Sequence, residues 1–238
     1  MAKVISEKSC TIVIPAHNEE RVIGESILAI RRALEKTDRP WQIIVVDDGS
    51  TDATSEKANA AVAGVGRVIQ TKSCRGKAGA IQEGILACTT DCLLFTDADL
   101  SVPPEFFEPA AERLQKADVV IASRHLPGSR LIRRQPWIRE TCGEIFRILV
   151  RRFFLRDISD FTCGLKAFRT GTARKLFQDL VCRDWTFDVE VILRARKAGM
   201  TIAELPVDWS NRPDSRVRLL SAIVRSLRSL WRLRQIYG

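Results

Sequence analysis

The sequence contains no stretch of about 18 uncharged apolar residues, the length that a membrane-spanning helix requires, although 45% of its 238 residues are hydrophobic. The first residues, MAKVISEKSC, also lack the apolar core of a signal peptide. These absences predict a chain that is neither secreted nor membrane-spanning. Its apolar residues are enough to form the core of one large domain.

Paired metal ligands of the zinc type are also missing. The two histidines, His17 and His125, form no ligand pair, and the seven cysteines form no Cys-x-x-Cys pair. A zinc site is therefore not expected. An odd number of cysteines, placed mostly in apolar segments, predicts a reducing, cytoplasmic location.

Two common nucleotide-binding motifs are incomplete. TKSCRGKA has Thr71 where a P-loop needs its first glycine and Ala78 where it needs serine or threonine. GVGRVI has Ile69 in place of the third glycine of a dinucleotide-binding loop. ATPase and dinucleotide-dehydrogenase functions are therefore not expected. Lys77, between two small residues, still fits either a turn near phosphates or a plain helix start.

Positive charge is in excess. The net charge is +9, and arginine dominates from Ser123 onward. This asymmetry favours an anionic partner such as phosphate, phospholipid or nucleic acid. Nucleic acid is not expected, because no recognised nucleic-acid-binding module accompanies the charge. A solvated basic surface without a partner is the alternative.

The first half of the chain alternates between two periodicities. Apolar runs such as CTIVIPA and QIIVVDD alternate with helical patterns, the first of which repeats Ile23, Ile27, Ile30 and Leu34. The alternation predicts an α/β fold with a Rossmann-like, mostly parallel sheet and helices on both faces. Ligands bind such sheets beyond the carboxyl ends of the strands.

Acidic residues occur at those strand ends. Asp47 ends the second strand, and Asp97 and Asp99 follow the fourth in LLFTDADLSVPP. Helix capping does not explain the latter pair, because a cap needs one acceptor and the two prolines delay the next helix. Two such carboxylates, together with substrate phosphates, are typical ligands of Mg²⁺ or Mn²⁺. The sequence therefore predicts a metal-diphosphate site.

Several motifs together resemble a known family. Four motifs resemble, in order and spacing, those of the family 2 glycosyltransferases of the GT-A fold: VIPAHNEE, VVDDGSTD, GKAGAIQEG and FTDADLSVPP. Later motifs are similar to those of dolichyl-phosphate and polyprenyl-phosphate hexose synthases, especially the dolichyl-phosphate β-glucosyltransferase-like branch: ASRH, DFTCGLKAFR, WTFDVEVILRARKAG and IAELPVDW. The resemblance covers nearly the whole chain.

The resemblance implies an inverting, metal-dependent hexosyltransferase. Its donor would be a nucleotide-diphosphate sugar, with UDP-glucose favoured over GDP-mannose or UDP-N-acetylhexosamines. Its acceptor would be polyprenyl phosphate, either dolichyl or undecaprenyl phosphate. Two alternatives stay open: a family 2 enzyme with a soluble or saccharide acceptor, and a catalytically silent GT-A domain that binds nucleotide or membrane. The intact Asp-x-Asp motif argues against the silent domain.

The resemblance also implies roles for individual residues. The nucleotide-binding positions are Pro15, Ala16, Glu19, Asp47 and Asp97, to which the turn at Lys77 adds a cation. The Asp-x-Asp motif, Asp97 and Asp99, would ligate the metal and be catalytic. The positions that would meet the acceptor phosphate are Arg124, Arg133, Arg134, Arg212, Ser215 and Arg216.

Asp188 is the third candidate catalytic residue. An acid in this region serves as a base in relatives that attack with a hydroxyl group. A phosphate acceptor is already an anion near neutral pH, since its second pKa is about 6. We therefore predict that Asp188 orients other groups or faces the metal. Its alternatives are a role as base and a merely favourable position at a helix start.

The predicted organisation is one GT-A catalytic domain over residues 1–215, with a nucleotide-binding half (1–123) and an acceptor-binding half (124–215). Residues 216–238 are predicted to form a basic amphipathic helix, with one face made by Leu220, Ile223, Leu227 and Leu230. With the arginine-rich segment 130–156, this helix predicts peripheral binding to an anionic membrane surface on the cytoplasmic side. A separately encoded membrane protein is a further candidate partner.

Overall fold

The computed structural model describes residues 9–211 and 219–237, with side chains in the second range from residue 224 onward. In chain order its first elements are β1 (Cys10–Ala16), α1 (Ile23–Leu34), β2 (Trp41–Asp47), α2 (Thr54–Val62), β3 (Gly66–Gln70), α3 (Gly76–Ala87) and β4 (Cys92–Phe95). A 3₁₀ helix (Pro104–Phe106) then leads into α4 (Phe107–Arg113), β5 (Val119–Ser123), β6 (Arg130–Arg133) and α5 (Trp137–Phe153). The last elements are β7 (Lys166–Arg169), α6 (Thr170–Phe177), α7 (Phe187–Lys197), β8 (Ile202–Pro206), β9 (Asp208–Ser210) and α8 (Leu219–Tyr237).

The main sheet has seven strands in the order β3-β2-β1-β4-β7-β5-β8. Adjacent strands of this sheet run parallel except at β7, which runs antiparallel to both β4 and β5. β6 and β9 form a separate parallel pair. The predicted α/β class and mostly parallel sheet are confirmed.

Helices cover both faces of the sheet, because buried side chains alternate along the strands. In β1, Ile12 and Ile14 belong to a core shared with α1, α2 and α4, whereas Val13 belongs to a core shared with α3, α6 and α7. Complete burial of one such side chain contributes about 1.5–3 kcal/mol. The helical pattern from Ile23 to Leu34 is confirmed as α1, and its isoleucines are fully buried.

The strand register positions the functional edge. Ala16 lies opposite Asp47 in the pairing of β1 with β2, and Val13 lies opposite Phe95 in the pairing of β1 with β4. Phe95 also packs against Phe168 of β7, with ring centroids 6.0 Å apart. The carboxyl ends of β1, β2 and β4 therefore meet at one edge, and an aromatic contact fixes β4 just before Asp97.

The arginine-rich segment divides into two elements, since strand β6 and helix α5 are separated by a short connection. Of α5, only Val150 is buried. No helix in the described ranges combines the length and apolar character that crossing a bilayer requires.

α8 occupies the region of the predicted C-terminal helix, of which residues 216–218 and 238 lie outside the described residues. Its Leu230 and Leu233 are buried in the core beside α7. Leu227, predicted to share a face with Leu230, is instead 49% exposed, together with Val224 and Trp231. Apolar residues in the described part of α8 therefore form two stripes, one turned inward and one turned outward. The side chains of Leu220 and Ile223, the other two residues of that predicted face, lie outside the described residues.

Candidate active site

The turn after β4 carries Asp97 and Asp99. Its backbone is fixed by two hydrogen bonds, from Thr96 N to the carbonyl of Val13 (3.1 Å) and from Leu100 N to the carbonyl of Asp97 (3.1 Å). Leu100 has a φ of 51°, in the left-handed region that branched residues rarely adopt. Backbone strain of this kind costs of order 1–3 kcal/mol and is typical of functional sites.

Asp97 is paired with Lys77. The Nζ atom of Lys77 lies 2.6 Å from Oδ1 of Asp97. Burial alone would lower the pKa of Lys77, but the charges of Asp97 and Asp188 raise it. The structure therefore brings a predicted metal ligand and the predicted phosphate-binding lysine together, and the lysine is a cation.

Asp99 is held by the turn itself. Its Oδ1 accepts hydrogen bonds from the amide (3.0 Å) and the hydroxyl (2.9 Å) of Ser101. Burial raises the pKa of Asp99, and the charge of Asp97 raises it further. A nearby cation would relieve the repulsion between the two carboxylates.

The donor set fits a divalent cation only in part. Asp97 and Asp99 offer carboxylate oxygens, which Mg²⁺ and Mn²⁺ prefer. Within the described residues, no three histidine, cysteine or acidic side chains form a group that could hold a metal alone. The remaining ligands would come from substrate phosphates and water, which is the usual arrangement for Mg²⁺.

Gly164 is a site residue that the sequence analysis missed. A Cβ atom at this position would lie 2.2 Å from Oδ2 of Asp97, which is closer than atoms can approach. Gly164 therefore leaves the space that the Asp97 carboxylate occupies. Its place in the motif DFTCGLKAFR was visible, but its contact with a residue 67 positions earlier was not.

Asp188 lies in the first turn of α7 and is fully buried. Its Oδ1 is 2.7 Å from Nζ of Lys166, which also donates a hydrogen bond to the carbonyl of Cys163 (2.9 Å). Burial raises the pKa of Asp188, while the charges of Lys166 and Lys77 oppose this. Lys166 was also missed, although a lysine in the apolar run CGLKAF was a signal.

Glu190, two residues later on α7, has a different role. Its carboxylate accepts hydrogen bonds from the amides of Val181 (3.1 Å) and Cys182 (2.8 Å) and from Arg194 (2.6 Å). It therefore fixes the loop before α7.

The two adjacent aspartates at the end of β2 have different hydrogen-bond partners. Asp47, predicted to bind nucleotide, is buried, and its Oδ1 accepts a hydrogen bond from Ser50 N (3.0 Å). The Asp48 carboxylate accepts hydrogen bonds from the amides of Arg75 (2.8 Å) and Gly76 (2.7 Å). Asp48 thereby holds the start of α3, and with it Lys77. The sequence alone does not distinguish this structural role.

The other predicted nucleotide-binding residues follow β1. The carbonyl of Ala16 accepts a hydrogen bond from Asp48 N (2.8 Å), and Glu19 N donates to the hydroxyl of Thr54 (2.7 Å). Pro15, like Glu19, is half-buried. The loop after β1 is thus joined to the loop after β2, and both border the same sheet edge.

Arg124 follows β5 and is held by Asp160. Its Nε lies 2.7 Å from one carboxylate oxygen and its Nη2 2.9 Å from the other, and Nη2 also donates to the hydroxyl of Thr162 (2.9 Å). Burial alone would lower the pKa of Arg124, but Asp160 raises it well above its usual range, with a smaller contribution from Asp97. Arg124 is therefore a fixed cation near Asp97.

The remaining predicted arginines are less closely joined to the aspartates. Arg133 is exposed on β6, and its carbonyl accepts a hydrogen bond from Asn211 N (2.9 Å). Ser210, the neighbour of Asn211, donates its amide to the carbonyl of Ser101 in the Asp-x-Asp turn (2.9 Å). The β6–β9 pair therefore lies beside this turn.

Arg134 is exposed and is paired with Glu140 (3.4 Å), and no described contact joins it to the aspartates. Arg212, Ser215 and Arg216 lie outside the described residues.

Comparison with known proteins identifies relatives over most of the chain. The sequence model of the family described as Glycosyl transferase family 2 matches residues 11–177. A protein named dolichyl-phosphate beta-glucosyltransferase from Dictyostelium discoideum is 31% identical, across 95% of this chain and 74% of that protein. A protein named dolichyl-phosphate beta-glucosyltransferase ALG5C from Trichomonas vaginalis is 33% identical, across 92% of this chain and 68% of that protein.

Solved structures with the same fold share less sequence. Glucosyl-3-phosphoglycerate synthase from Mycobacterium tuberculosis, in complex with Mn²⁺, UDP and glucosyl-3-phosphoglycerate, superposes with a TM-score of 0.73 at 21% identity. The match covers 96% of this chain and 80% of that one. This likeness confirms the predicted GT-A fold.

Proposed function

Because the chain belongs to glycosyl transferase family 2, we propose that it is an inverting enzyme that transfers glucose from a nucleotide-diphosphate sugar to polyprenyl phosphate. Relatives named dolichyl-phosphate beta-glucosyltransferase match most of its length, which supports glucose and a lipid phosphate as the substrates. The observation that carries the proposal is the convergence of four charged side chains beyond β4: Asp97, Asp99, Asp188 and Lys77.

The donor would lie along the sheet edge. Its base and ribose would be bound at the ends of β1 and β2, by Pro15, Ala16, Glu19 and Asp47. Since β4 is the neighbour of β1 on the other side, the diphosphate would reach Asp97 and Lys77. We favour UDP as the nucleotide because the chain is similar to glucosyltransferases.

Asp97 and Asp99 are the residues that would hold Mg²⁺ or Mn²⁺. When bound, such an ion stabilises the negative charge that develops on the departing diphosphate. The Lys77 ammonium, which already lies at Asp97, would add positive charge at the same place. Aspartates and lysine would thus act together on the leaving group.

The acceptor phosphate would attack the anomeric carbon on the side opposite the diphosphate. As the new C–O bond forms, the bond to the diphosphate breaks and its electron pair leaves with the diphosphate. The acceptor needs no strong base, because its second pKa is about 6. Asp188 fits this chemistry, since its pairing with buried Lys166 supports an orienting role instead of proton removal.

Cations on the acceptor side would bind the lipid phosphate. Arg124 is preorganised by Asp160, and Arg133 is exposed beside the Asp-x-Asp turn. Arginine suits this task, because its planar fork makes paired hydrogen bonds to phosphate oxygens. The family resemblance adds four further residues to the proposed phosphate-binding set: Arg134, Arg212, Ser215 and Arg216.

An outer surface on α5 and α8 supports peripheral membrane binding. Its exposed apolar side chains are Trp137, Ile138, Ile145, Ile148, Phe153, Val224, Leu227 and Trp231. The two helices meet where the Arg234 guanidinium lies 5.0 Å from the centre of the Phe153 ring. Exposed arginines lie on both helices, Arg152 on α5 and Arg225, Arg228, Arg232 and Arg234 on α8, as expected for a surface that binds anionic lipid. We propose that it lies on the cytoplasmic side of the membrane, alone or beside a separately encoded membrane protein.

The experiment that tests the proposal follows labelled sugar into lipid. Purified protein, Mn²⁺ or Mg²⁺ and undecaprenyl phosphate in detergent would be mixed separately with labelled UDP-glucose, GDP-mannose and UDP-N-acetylglucosamine. We expect label in the organic extract with UDP-glucose. Label that appears only in a water-soluble product with phosphoglyceric acid, which is bound in related solved structures, would contradict a lipid acceptor. Hydrolysis without any glycosylated product would contradict transfer.

A further inference from the structure

Trp185 is an exposed aromatic residue on a well-anchored loop. Its side chain is 41% exposed in the loop between α6 and α7. Its neighbour Asp184 accepts hydrogen bonds from Thr186 N (2.9 Å) and from the Ser229 hydroxyl of α8 (2.9 Å). The carbonyl of Asp184 also accepts a hydrogen bond from Phe187 N (3.0 Å). The loop is therefore fixed from both sides, while the indole itself is not packed into the core.

The indole borders the charged site. The Nζ atom of Lys77 lies 5.3 Å from the centre of the Trp185 ring and 2.6 Å from Oδ1 of Asp97. A Cβ atom on Gly76 would lie 3.7 Å from the carbonyl oxygen of Arg183, so the loop approaches the start of α3. One ammonium group therefore joins the exposed ring to the Asp-x-Asp aspartate.

The position of the ring along the donor follows from the fold. The proposed base-binding residues lie at the ends of β1 and β2, and Asp97 and Lys77 lie beyond β4. Trp185 belongs to the loop that leads into α7, where Asp188 opens the helix three residues later. The ring therefore lies beside the part of the site that is proposed to bind the diphosphate. Its loop takes no part in the proposed base pocket.

We propose that the indole of Trp185 is the platform on which the hexose of the donor packs. The inference rests on the proposed function and adds the residue that positions the transferred sugar. The C–H face of a pyranose ring is weakly positive and apolar, and it complements the negative face of an aromatic ring. The contact would exclude water from one side of the sugar and hold the anomeric carbon in line with the acceptor.

The competing explanation is that Trp185 only covers Lys77. A cation over an indole face is favourable by itself, and the contact would then act on the diphosphate whether or not a sugar is attached. The two explanations differ in one measurable respect. A sugar platform changes the affinity for UDP-glucose relative to UDP, whereas a cover for Lys77 changes both affinities alike.

The test compares Kd values for labelled UDP-glucose and labelled UDP by equilibrium dialysis with Mn²⁺, using wild type, Trp185→Leu and Trp185→Phe. Leu86→Ala, an exposed apolar residue at the far end of α3, is the matched control. We expect Trp185→Leu to weaken UDP-glucose binding about fivefold to tenfold, with UDP changed less than about twofold. Trp185→Phe keeps a ring and should lose less, and the control should match wild type.

Two results would overturn the platform. Equal weakening of UDP and UDP-glucose would identify a cover for Lys77, and unchanged binding of both would leave Trp185 without a role in the donor site. Failure of wild-type protein to bind UDP-glucose at all would overturn the proposed function as well, so the two failures are distinguishable.

Discussion

The donor side and the acceptor side of this molecule are built differently. On the donor side, backbone amides fix the carboxylates, as Ser50 does for Asp47, Gly76 for Asp48 and Ser101 for Asp99. On the acceptor side, an arginine-rich strand and two helices leave cationic and apolar side chains exposed. A small, polar donor needs a preorganised pocket, whereas a lipid acceptor arrives on a surface. The difference fits the proposal that a lipid acceptor and the membrane complete the acceptor side.

Arg124 stands between the two sides. It follows β5 and is held by buried Asp160 as firmly as any donor residue. Burial would raise the pKa of Asp160, but the charge and hydrogen bonds of Arg124 hold it well below the usual range. This pair therefore brings one fixed cation from the acceptor side to the aspartates.

The largest effect should come from the donor side. Replacing Asp99 by Ala removes a proposed metal ligand, and we expect transfer to fall at least about 100-fold, because stabilisation of the leaving charge is lost. The fold should persist, as followed by circular dichroism. Asp38→Ala, at an exposed turn after α1, is the control. Unchanged turnover would contradict the metal assignment.

The buried pair beneath the site should give the largest loss of stability. Lys166→Met leaves Asp188 buried without its partner, and we expect the free energy of unfolding in urea to fall by about 3–5 kcal/mol. Exposed Lys116→Met should change it by less than about 0.5 kcal/mol. The double variant Lys166→Met with Asp188→Leu should recover part of the loss. If the single variant is as stable as wild type, the two side chains are not coupled.

A smaller change should disturb geometry and leave the fold intact. In Gly164→Ala, the new methyl group would displace the Asp97 carboxylate, and we expect kcat to fall about tenfold. Gly171→Ala, where a Cβ atom would meet nothing within 4 Å, should match wild type. Equal rates in the two variants would show that Asp97 tolerates the displacement.

The smallest effect should come from the outer surface. Leu227→Glu places a negative charge on the exposed stripe of α8, and we expect affinity for vesicles containing phosphatidylglycerol to fall about threefold to fivefold. The Kd for UDP-glucose should not change, because Leu227 is exposed on α8 and no described contact joins it to the aspartates. Leu86→Glu on α3 is the control for added charge. Equal vesicle binding by the two variants would place the membrane surface elsewhere.

The donor side could be predicted from the sequence because its signals are local. Alternation of apolar runs predicted the sheet, and the order of short motifs predicted which strand ends carry Asp47, Asp97 and Asp99. The contacts of Lys166 with Asp188 and of Gly164 with Asp97 could not be predicted. They join residues from different elements, and neither residue type by itself indicates a partner.

The acceptor side was harder to predict for a related reason. Helical periodicity shows which residues share a stripe, but it does not show which stripe faces the domain. In α8 both stripes are apolar, and only packing against the core of the domain distinguishes buried Leu230 from exposed Leu227. The separate roles of Asp47 and Asp48 could not be predicted either, since both are acidic residues at the end of one strand.

The most direct test of the proposed reaction compares two acceptors that differ only in the phosphate. Label transfer from UDP-glucose would be measured with undecaprenyl phosphate and with undecaprenol, in the same detergent and with Mn²⁺ present. We expect labelled lipid with the phosphate and none above background with the alcohol, because the phosphate attacks the anomeric carbon as an anion bound by arginines. Equal labelling of both lipids would contradict it and would make Asp188 the base that the reaction requires.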